Sequence, residues 1–222
     1  MPFPAVARRG KLVATGTRRT RPRQDTAAPP GPALARTLYG DVNPSGRLTA
    51  TFPHSVGQEP LYYNSFNTGR PSQGQGHYVT GYRDESVLPI YPFGFGLSYT
   101  KFEYSPTRIA TQKISAAELN HGGTIEVEAT VKNVGQRAGT EVAQLYIRQR
   151  GTSVARPVRE LKGFARIALS PGESRQVKFT LTGKELAFWN IDMQYTAEPC
   201  ELAVWVAPDS KGGSPAMMMV TP

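Results

Sequence analysis

The chain is short of cysteine, of histidine and of long apolar runs, and each shortage removes a class of protein. A single cysteine, Cys200, among 222 residues excludes an internal disulfide and any multi-cysteine zinc site. Cys200 sits in "EPCELAVWVA", a strand-like apolar run, where a small buried hydrophobe is expected rather than a nucleophile. His54, His77 and His121 lie far apart without metal-ligand spacing. Gly-rich phosphate loops, paired metal ligands and calcium loops are also missing, so neither a metal nor a cofactor is expected. No apolar run approaches the roughly 18–20 residues of a membrane span, and no membrane partner is expected. Residues 1–30 carry charge but lack the apolar run of about 7–15 residues that marks a secretory leader, so no leader is expected within them.

The net charge of +9 invites a nucleic-acid reading, but its distribution argues against a specific one. Seven Lys/Arg and one Asp fall in residues 1–30, against nineteen Lys/Arg and sixteen Asp/Glu in the rest. The basicity therefore belongs to "ARRGKLVATGTRRTRPRQDTAAPPGP", which has no apolar periodicity and reads as a disordered tail over 1–30. Such an arm can touch nucleic acid nonspecifically; no specific nucleic-acid partner is expected.

Three stretches follow. In residues 31–53, Ala33, Leu34, Leu38 and Tyr39 suit a short helix that Gly40 can stop. "NPSG" (43–46) is a turn, and "RLTATF" before Pro53 reads as a strand. A lone helix and strand cannot bury their apolar faces, so this stretch looks like the end of an α/β domain. Residues 54–100 form a long loop and linker rich in Gly, Pro, Tyr and Asn, and loops of that length are usually functional or packed over a neighbour. The loop closes with "YPFGFGLSYT" (91–100), too rich in breakers for a helix interior and too aromatic for an idle linker.

Residues 101–222 carry the clearest pattern. In "TIEVEATVKNVG" (124–135), Ile125, Val127, Ala129 and Val131 alternate with Glu126, Glu128, Thr130 and Lys132. "EVAQLYIRQ" places Ala143, Leu145 and Ile147 on one face, and "RQVKFTLTG" does the same with Val177, Phe179 and Leu181. "CELAVWVAP" sets Leu202, Val204 and Val206 against Ala203 and Trp205. Period-2 runs separated by turn signals indicate an antiparallel sandwich of about seven strands. With one cysteine it lacks the intersheet disulfide of antibody domains, so the fold class is mainly β: a fibronectin type III-like sandwich after a short α/β remnant and a long loop.

Six collinear motifs carry a resemblance: "GPALARTLYGDVNPSGRLTATFP", "YYNSFNTGRP", "YPFGFGLSYTKFEY", "VKNVGQRAGTEVAQLYI", "RPVRELKGFARIALSPGES" and "FWNIDMQYTAEPCELAVWV". In this order and spacing they resemble the C-terminal end of bacterial glycoside hydrolase family 3 β-glucosidases, from about residue 31 onward. The resemblance implies that Tyr91, Phe93, Phe95 and Tyr99 wedge between an α/β sandwich domain and the fibronectin-like domain, as an interdomain clamp. It also implies β-linked glucosides or oligosaccharides as partners, and members are often periplasmic or secreted. Family members are retaining enzymes that take an Asp nucleophile from a barrel domain. Their acid/base, usually a Glu, comes from the α/β domain upstream of the "NPSG" turn. Retention needs two carboxyl groups about 5–5.5 Å apart. No Asp or Glu of this sequence lies in a motif with either role, so the resemblance implies that the family's catalytic residues are absent and that the chain serves as an accessory, stabilising or weakly carbohydrate-binding module.

Other chemistry has named candidates. A site outside the family pattern would draw on Asp84, Glu85, Glu59 or Asp41, each of which reads more simply as a solvated or turn-capping acid. "SYTK" (98–101) satisfies S-x-x-K and "YYN" (62–64) Y-x-N, the elements of a serine esterase using Ser98 and Lys101. Here Y-x-N precedes S-x-x-K, and Ser98 lies in a Gly/aromatic segment rather than at the start of a buried helix. For sugar binding, the loop tyrosines Tyr62, Tyr63, Tyr78 and Tyr82 offer stacking faces, with Arg70 as a hydrogen-bond donor. Trp189 and Trp205 read as sheet residues. The unpaired α/β face makes self-association an expectation.

Overall fold

A computed structural model of the chain describes residues 30–68, 70 and 79–222. The basic tail through residue 29, and the candidate Tyr78, lie outside the described residues. Helix α1 (Pro30–Leu38) ends as the sequence predicts, with Gly40 at a positive φ. It leaves Leu34, Leu38 and Tyr39 exposed. The expected strand "RLTATF" is not continuous. Leu48 and Phe52 pair only with the 90–95 segment, through Leu48 N to Phe95 O (2.8 Å), Gly94 N to Leu48 O (2.8 Å) and Phe52 N to Tyr91 O (2.9 Å). A bend at Thr49 and Ala50 interrupts the pairing, which leaves a bridge between Phe52 and Tyr91.

The strands begin with β1 (Phe102–Tyr104), β2 (Arg108–Ile109) and β3 (Lys113–Ser115), followed by helix α2 (Ala116–Asn120). Then come β4 (Thr124–Asn133), β5 (Gly139–Arg150), β6 (Glu160–Leu169) and β7 (Ser174–Thr182). Helix α3 (Gly183–Leu186) leads to β8 (Phe188–Trp189), β9 (Tyr195–Thr196), β10 (Cys200–Ala207) and β11 (Ala216–Thr221). One sheet places β4 between β7 on one side and the short β1 and β2 on the other, all antiparallel. The other runs β3–β11–β10–β5–β6, antiparallel except where β3 joins β11. This is the mainly β sandwich that the alternation implies. Strands β8 and β9 form a separate small hairpin.

The inner faces are the alternating sets read from the sequence. Ile125, Val127, Ala129 and Val131 of β4 meet Ala143, Leu145 and Ile147 of β5 and Leu202, Val204 and Val206 of β10 in one core. Each large aliphatic side chain so buried contributes about 1.5–3 kcal/mol. Cys200 is buried in the same core, and burial pushes its thiol up to about 11, as suits an inert hydrophobe. Local devices fix the ends of the short helices. The Ser115 hydroxyl accepts from Glu118 N at 3.0 Å, and Thr182 and Glu185 close a reciprocal capping box.

The five-stranded sheet is also covered on its outer face, which alternation alone does not foretell. Tyr146, Ala203, Trp205 and Ala207 form a second buried cluster, packed against Tyr63, Phe93 and Leu161. Tyr63 stacks on Phe93 with ring centroids 4.1 Å apart and meets Tyr146 edge-on at 6.2 Å. The loop before the sandwich is therefore part of its packing.

Candidate functional site

The segment 91–100 binds the N-terminal stretch to the sheet. Tyr91 stacks on Phe95 at 4.8 Å and meets Phe52 edge-on at 6.4 Å. The Tyr99 hydroxyl donates to Thr37 O at the end of α1 (2.7 Å). Asn43 ties three pieces together: its Nδ2 donates to Ala138 O (3.0 Å), and its Oδ1 accepts from Ser98 Oγ (3.0 Å) and Tyr99 N (2.8 Å). Beside it, Arg47 pairs with Glu141, which also accepts from the Tyr104 hydroxyl at 2.7 Å. Burial raises the Glu141 carboxyl above the ordinary glutamate range, against the opposing pull of Tyr104 and Arg47.

Farther along, the loop folds over the sheet around buried Gln58. Its Oε1 accepts from His54 N (2.5 Å), and its Nε2 donates to Ser86 O and, at 3.4 Å, to Leu88 O. This brings residues 58–68 and 79–88 above the outer face and leaves a cleft of about 710 Å³ between loop and sheet. That volume lies within the range of small-molecule sites. Its walls include Tyr63, Phe66 and Tyr82 from the loop and Trp205 from β10, with Arg148, Arg159 and Lys211 also in the lining.

Arg159 is built into the floor. Its guanidinium lies 4.2 Å from the Trp205 ring centroid and 5.6 Å from that of Tyr146. It donates to Ser210 O (2.6 Å) and Gly212 O (3.0 Å), and burial lowers it to about 10. Burial also lowers Arg148, with Arg150 adding repulsion, and it lowers Lys211, with Arg159 adding to the effect. Among the described lining residues there is no Asp or Glu. The nearby Asp209 spends one carboxylate oxygen on the Lys211 and Gly212 amides, at 2.8 and 2.7 Å.

The sequence candidates divide between cleft, clamp and surface. Tyr63 and Tyr82 line the cleft; Tyr63 is half-buried beneath the loop and Tyr82 half-exposed, its hydroxyl 3.4 Å from Gly57 O. Tyr62 is exposed and outside the lining. Arg70 holds Thr80 through its carbonyl, which accepts from Thr80 N at 3.2 Å and Thr80 Oγ1 at 2.6 Å. Asp41, Glu59 and Asp84 are exposed, and Glu85 accepts from Ser55 Oγ at 2.5 Å. No three of His, Cys, Asp or Glu converge as a metal site among the described residues. The Ser98 hydroxyl is engaged twice, donating to Asn43 and accepting from Thr100 N at 3.2 Å. Sequence reasoning passed over Phe66, Arg148, Arg159, Ser210 and Lys211. The available signal was Arg148, a cation that interrupts the apolar run "LYIRQ" of a strand otherwise buried on both faces.

Comparison with known proteins places both parts of this architecture. Residues 141–210 match the fibronectin type III-like domain model, and residues 28–99 match the glycosyl hydrolase family 3 C-terminal domain model. The molecule is thus a fibronectin type III-like sandwich carrying sequence of a family 3 C-terminal domain at its front. A periplasmic β-glucosidase of Salmonella typhimurium is 43% identical over 182 residues, which are 81% of this chain and 23% of that protein. A putative β-xylosidase of Formosa agariphila is 41% identical over 80% of this chain and 22% of its own length. A β-glucosidase from Listeria innocua, solved with laminaribiose, superposes with a TM-score of 0.78 at 37% identity, covering 86% of this chain and 26% of that one. The chain belongs to glycoside hydrolase family 3, where it matches the C-terminal portion of the β-glucosidases. It spans about a quarter of the length of these relatives.

Proposed function

We propose that this chain is a non-catalytic accessory module of a β-glycosidase, which stabilises the family's α/β domain and binds carbohydrate weakly in the cleft over the sandwich. The observation that carries this reading is the make-up of the cleft. It offers aromatic walls and cations, while family-type hydrolysis needs two opposed carboxyl groups. The doubly bonded Ser98 hydroxyl favours a structural role over an esterase with Lys101. The candidate acids Asp41, Glu59, Asp84 and Glu85 serve as surface or loop-bracing groups on this reading, and Tyr62 and Arg70 as rim contacts.

Tyr91, Phe93, Phe95 and Tyr99 act as the clamp between the two parts, and the exposed Leu34, Leu38 and Tyr39 mark the face on which the rest of an α/β domain packs. The whole protein hydrolyses β-linked glucosides or related glycosides, as the names of the relatives suggest, and the similarity to a periplasmic β-glucosidase favours an exported setting. The test is turnover of an aryl β-glucoside and a short aryl ester by the purified chain, with Glu85→Ala and Ser98→Ala beside it. The expected result is no turnover above a buffer control. Turnover abolished by Glu85→Ala would establish a glycosidase with a site of its own, and turnover abolished by Ser98→Ala an esterase.

A further inference from the structure

The cleft carries more positive charge than neutral sugar binding requires. Arg148 and Lys211 make no ion pair among the described residues, and Arg159 is held by carbonyls and rings rather than by a carboxylate. An adjoining hollow of about 430 Å³ shares Asn67 and Arg148 with the cleft and adds Arg150 and Arg156, again with no Asp or Glu among its described lining residues. Arg150 and Arg156 do have partners, Glu201 at 3.4 Å and Glu160 at 3.1 Å.

A second, independent observation is Ser210. Its residue is 6% exposed and lines the cleft, and its hydroxyl oxygen, itself shielded from solvent, has no hydrogen-bond partner among the described residues. Buried polar groups are nearly always satisfied, so a hydroxyl left unpartnered beneath the cleft wall marks a spot where a small side-chain turn on ligand entry would gain a hydrogen bond. Charged acceptors suit such sites because their hydrogen bonds are roughly twice as strong as neutral ones. The exposed rings of Phe66 and Tyr82 on the opposite wall offer apolar faces for the C–H side of a pyranose.

From this make-up we infer that the cleft takes a pyranoside bearing an anionic group, a sugar carboxylate or sulfate ester, whose charge is met by the cations Arg148 and Lys211 while its ring rests on Phe66 and Tyr82. This deepens the carbohydrate-binding reading and rests on it. A nucleic-acid site fits less well, because at about 710 Å³ the cleft is sized for one or two rings rather than for a strand.

The test is a set of titrations of the full chain at low ionic strength, followed by calorimetry and by chemical shifts. The probes are methyl β-glucuronide, methyl β-glucoside, methyl β-glucoside 6-sulfate and sodium sulfate, and the first is repeated on Lys211→Met and Arg148→Met. The expected result is that at least one anionic glycoside binds tenfold or more tighter than the neutral one. The preference is lost in Lys211→Met and at high salt, and the carboxylate and sulfate arms tell which ester or acid is preferred. Should Arg148→Met fail to fold, Lys211→Met, at the rim, still decides. Equal binding of glucuronide and glucoside would overturn the anionic inference and leave the carbohydrate reading standing. Sodium sulfate binding as tightly as the glycosides would reduce the site to an anion hole and overturn the sugar contact. Absence of binding by every probe would remove both readings, and displacement of glucuronide by a short oligonucleotide at lower concentration would overturn the inference in favour of nucleic acid.

Discussion

Gly94 offers a sharp test of how the linker is locked to the sandwich. It is buried at φ +82°, and a Cβ there would stand 2.2 Å from Gln144 Oε1 and 2.9 Å from Gln144 Cδ and Nε2. Gln144 cannot yield freely. Its Nε2 donates to Gly94 O at 3.1 Å and to Pro208 O, while its Oε1 accepts from the buried Tyr146 hydroxyl at 2.7 Å. Gly94→Ala therefore combines a left-handed backbone cost of about 1–2 kcal/mol with buried polar groups left unsatisfied, about 1–3 kcal/mol. Gly172 supplies the control, since it sits at φ +77° with nothing within 4 Å of its Cβ position. Gly172→Ala should show the backbone cost alone. Thermal unfolding followed by circular dichroism reads the difference. At roughly 2–4 °C per kcal/mol for a chain of this size, Gly94→Ala should lower Tm by about 5–15 °C and clearly more than Gly172→Ala. Equal Tm values for the two variants would refute the idea that the glutamine bridge fastens linker to sheet.

Further predictions concern the buried acid and the exposed helix. Because burial raises the folded-state pKa of Glu141, the native state holds its proton to higher pH than the unfolded chain does. This residue's contribution thus favours folding at low pH and declines as pH rises above the unfolded glutamate value of about 4.3. Urea titrations from pH 4 to 7 should show Glu141→Gln gaining on the wild type as pH rises, and parallel pH curves would contradict that sign. Arg47→Ala, which strands the Glu141 charge, should cost about 3–5 kcal/mol in the same titrations at pH 7; a loss under 1 kcal/mol would place the pair in solvent. The exposed Leu34, Leu38 and Tyr39 should drive concentration-dependent self-association in sedimentation experiments, reduced by Leu38→Lys.

What the sequence made legible follows from range. Alternation in β4, β5, β7 and β10 needs only neighbours along the chain, so the core face of each strand could be read directly. The outer face could not. Tyr146 looks solvent-facing by period yet is fully buried, because Tyr63 and Phe93 reach it from far upstream. The same distance hid the cleft: Arg148, Arg159 and Lys211 come from separate segments, and only the fold brings them against Phe66 and Tyr82. The loop tyrosines were named individually, but nothing local showed that Tyr63 packs inward while Tyr62 points out. The strand expected at "RLTATF" has the right composition and keeps a partner at Leu48 and at Phe52, but a bend at Thr49 and Ala50 breaks the ladder between them.

The double coverage of the five-stranded sheet also bears on how such a protein can be recombined. A gene cut where the first sandwich strand begins would leave Tyr146 and Trp205 facing water and strip Gln144 of its Gly94 carbonyl. The heritable unit is therefore wider than the sandwich, reaching back at least to Asn43, whose side chain fastens Ser98 and Tyr99 to the turn at Ala138. Chimeras joined before Asn43 should inherit a sealed sheet, whereas those joined at the start of β1 inherit an adhesive one.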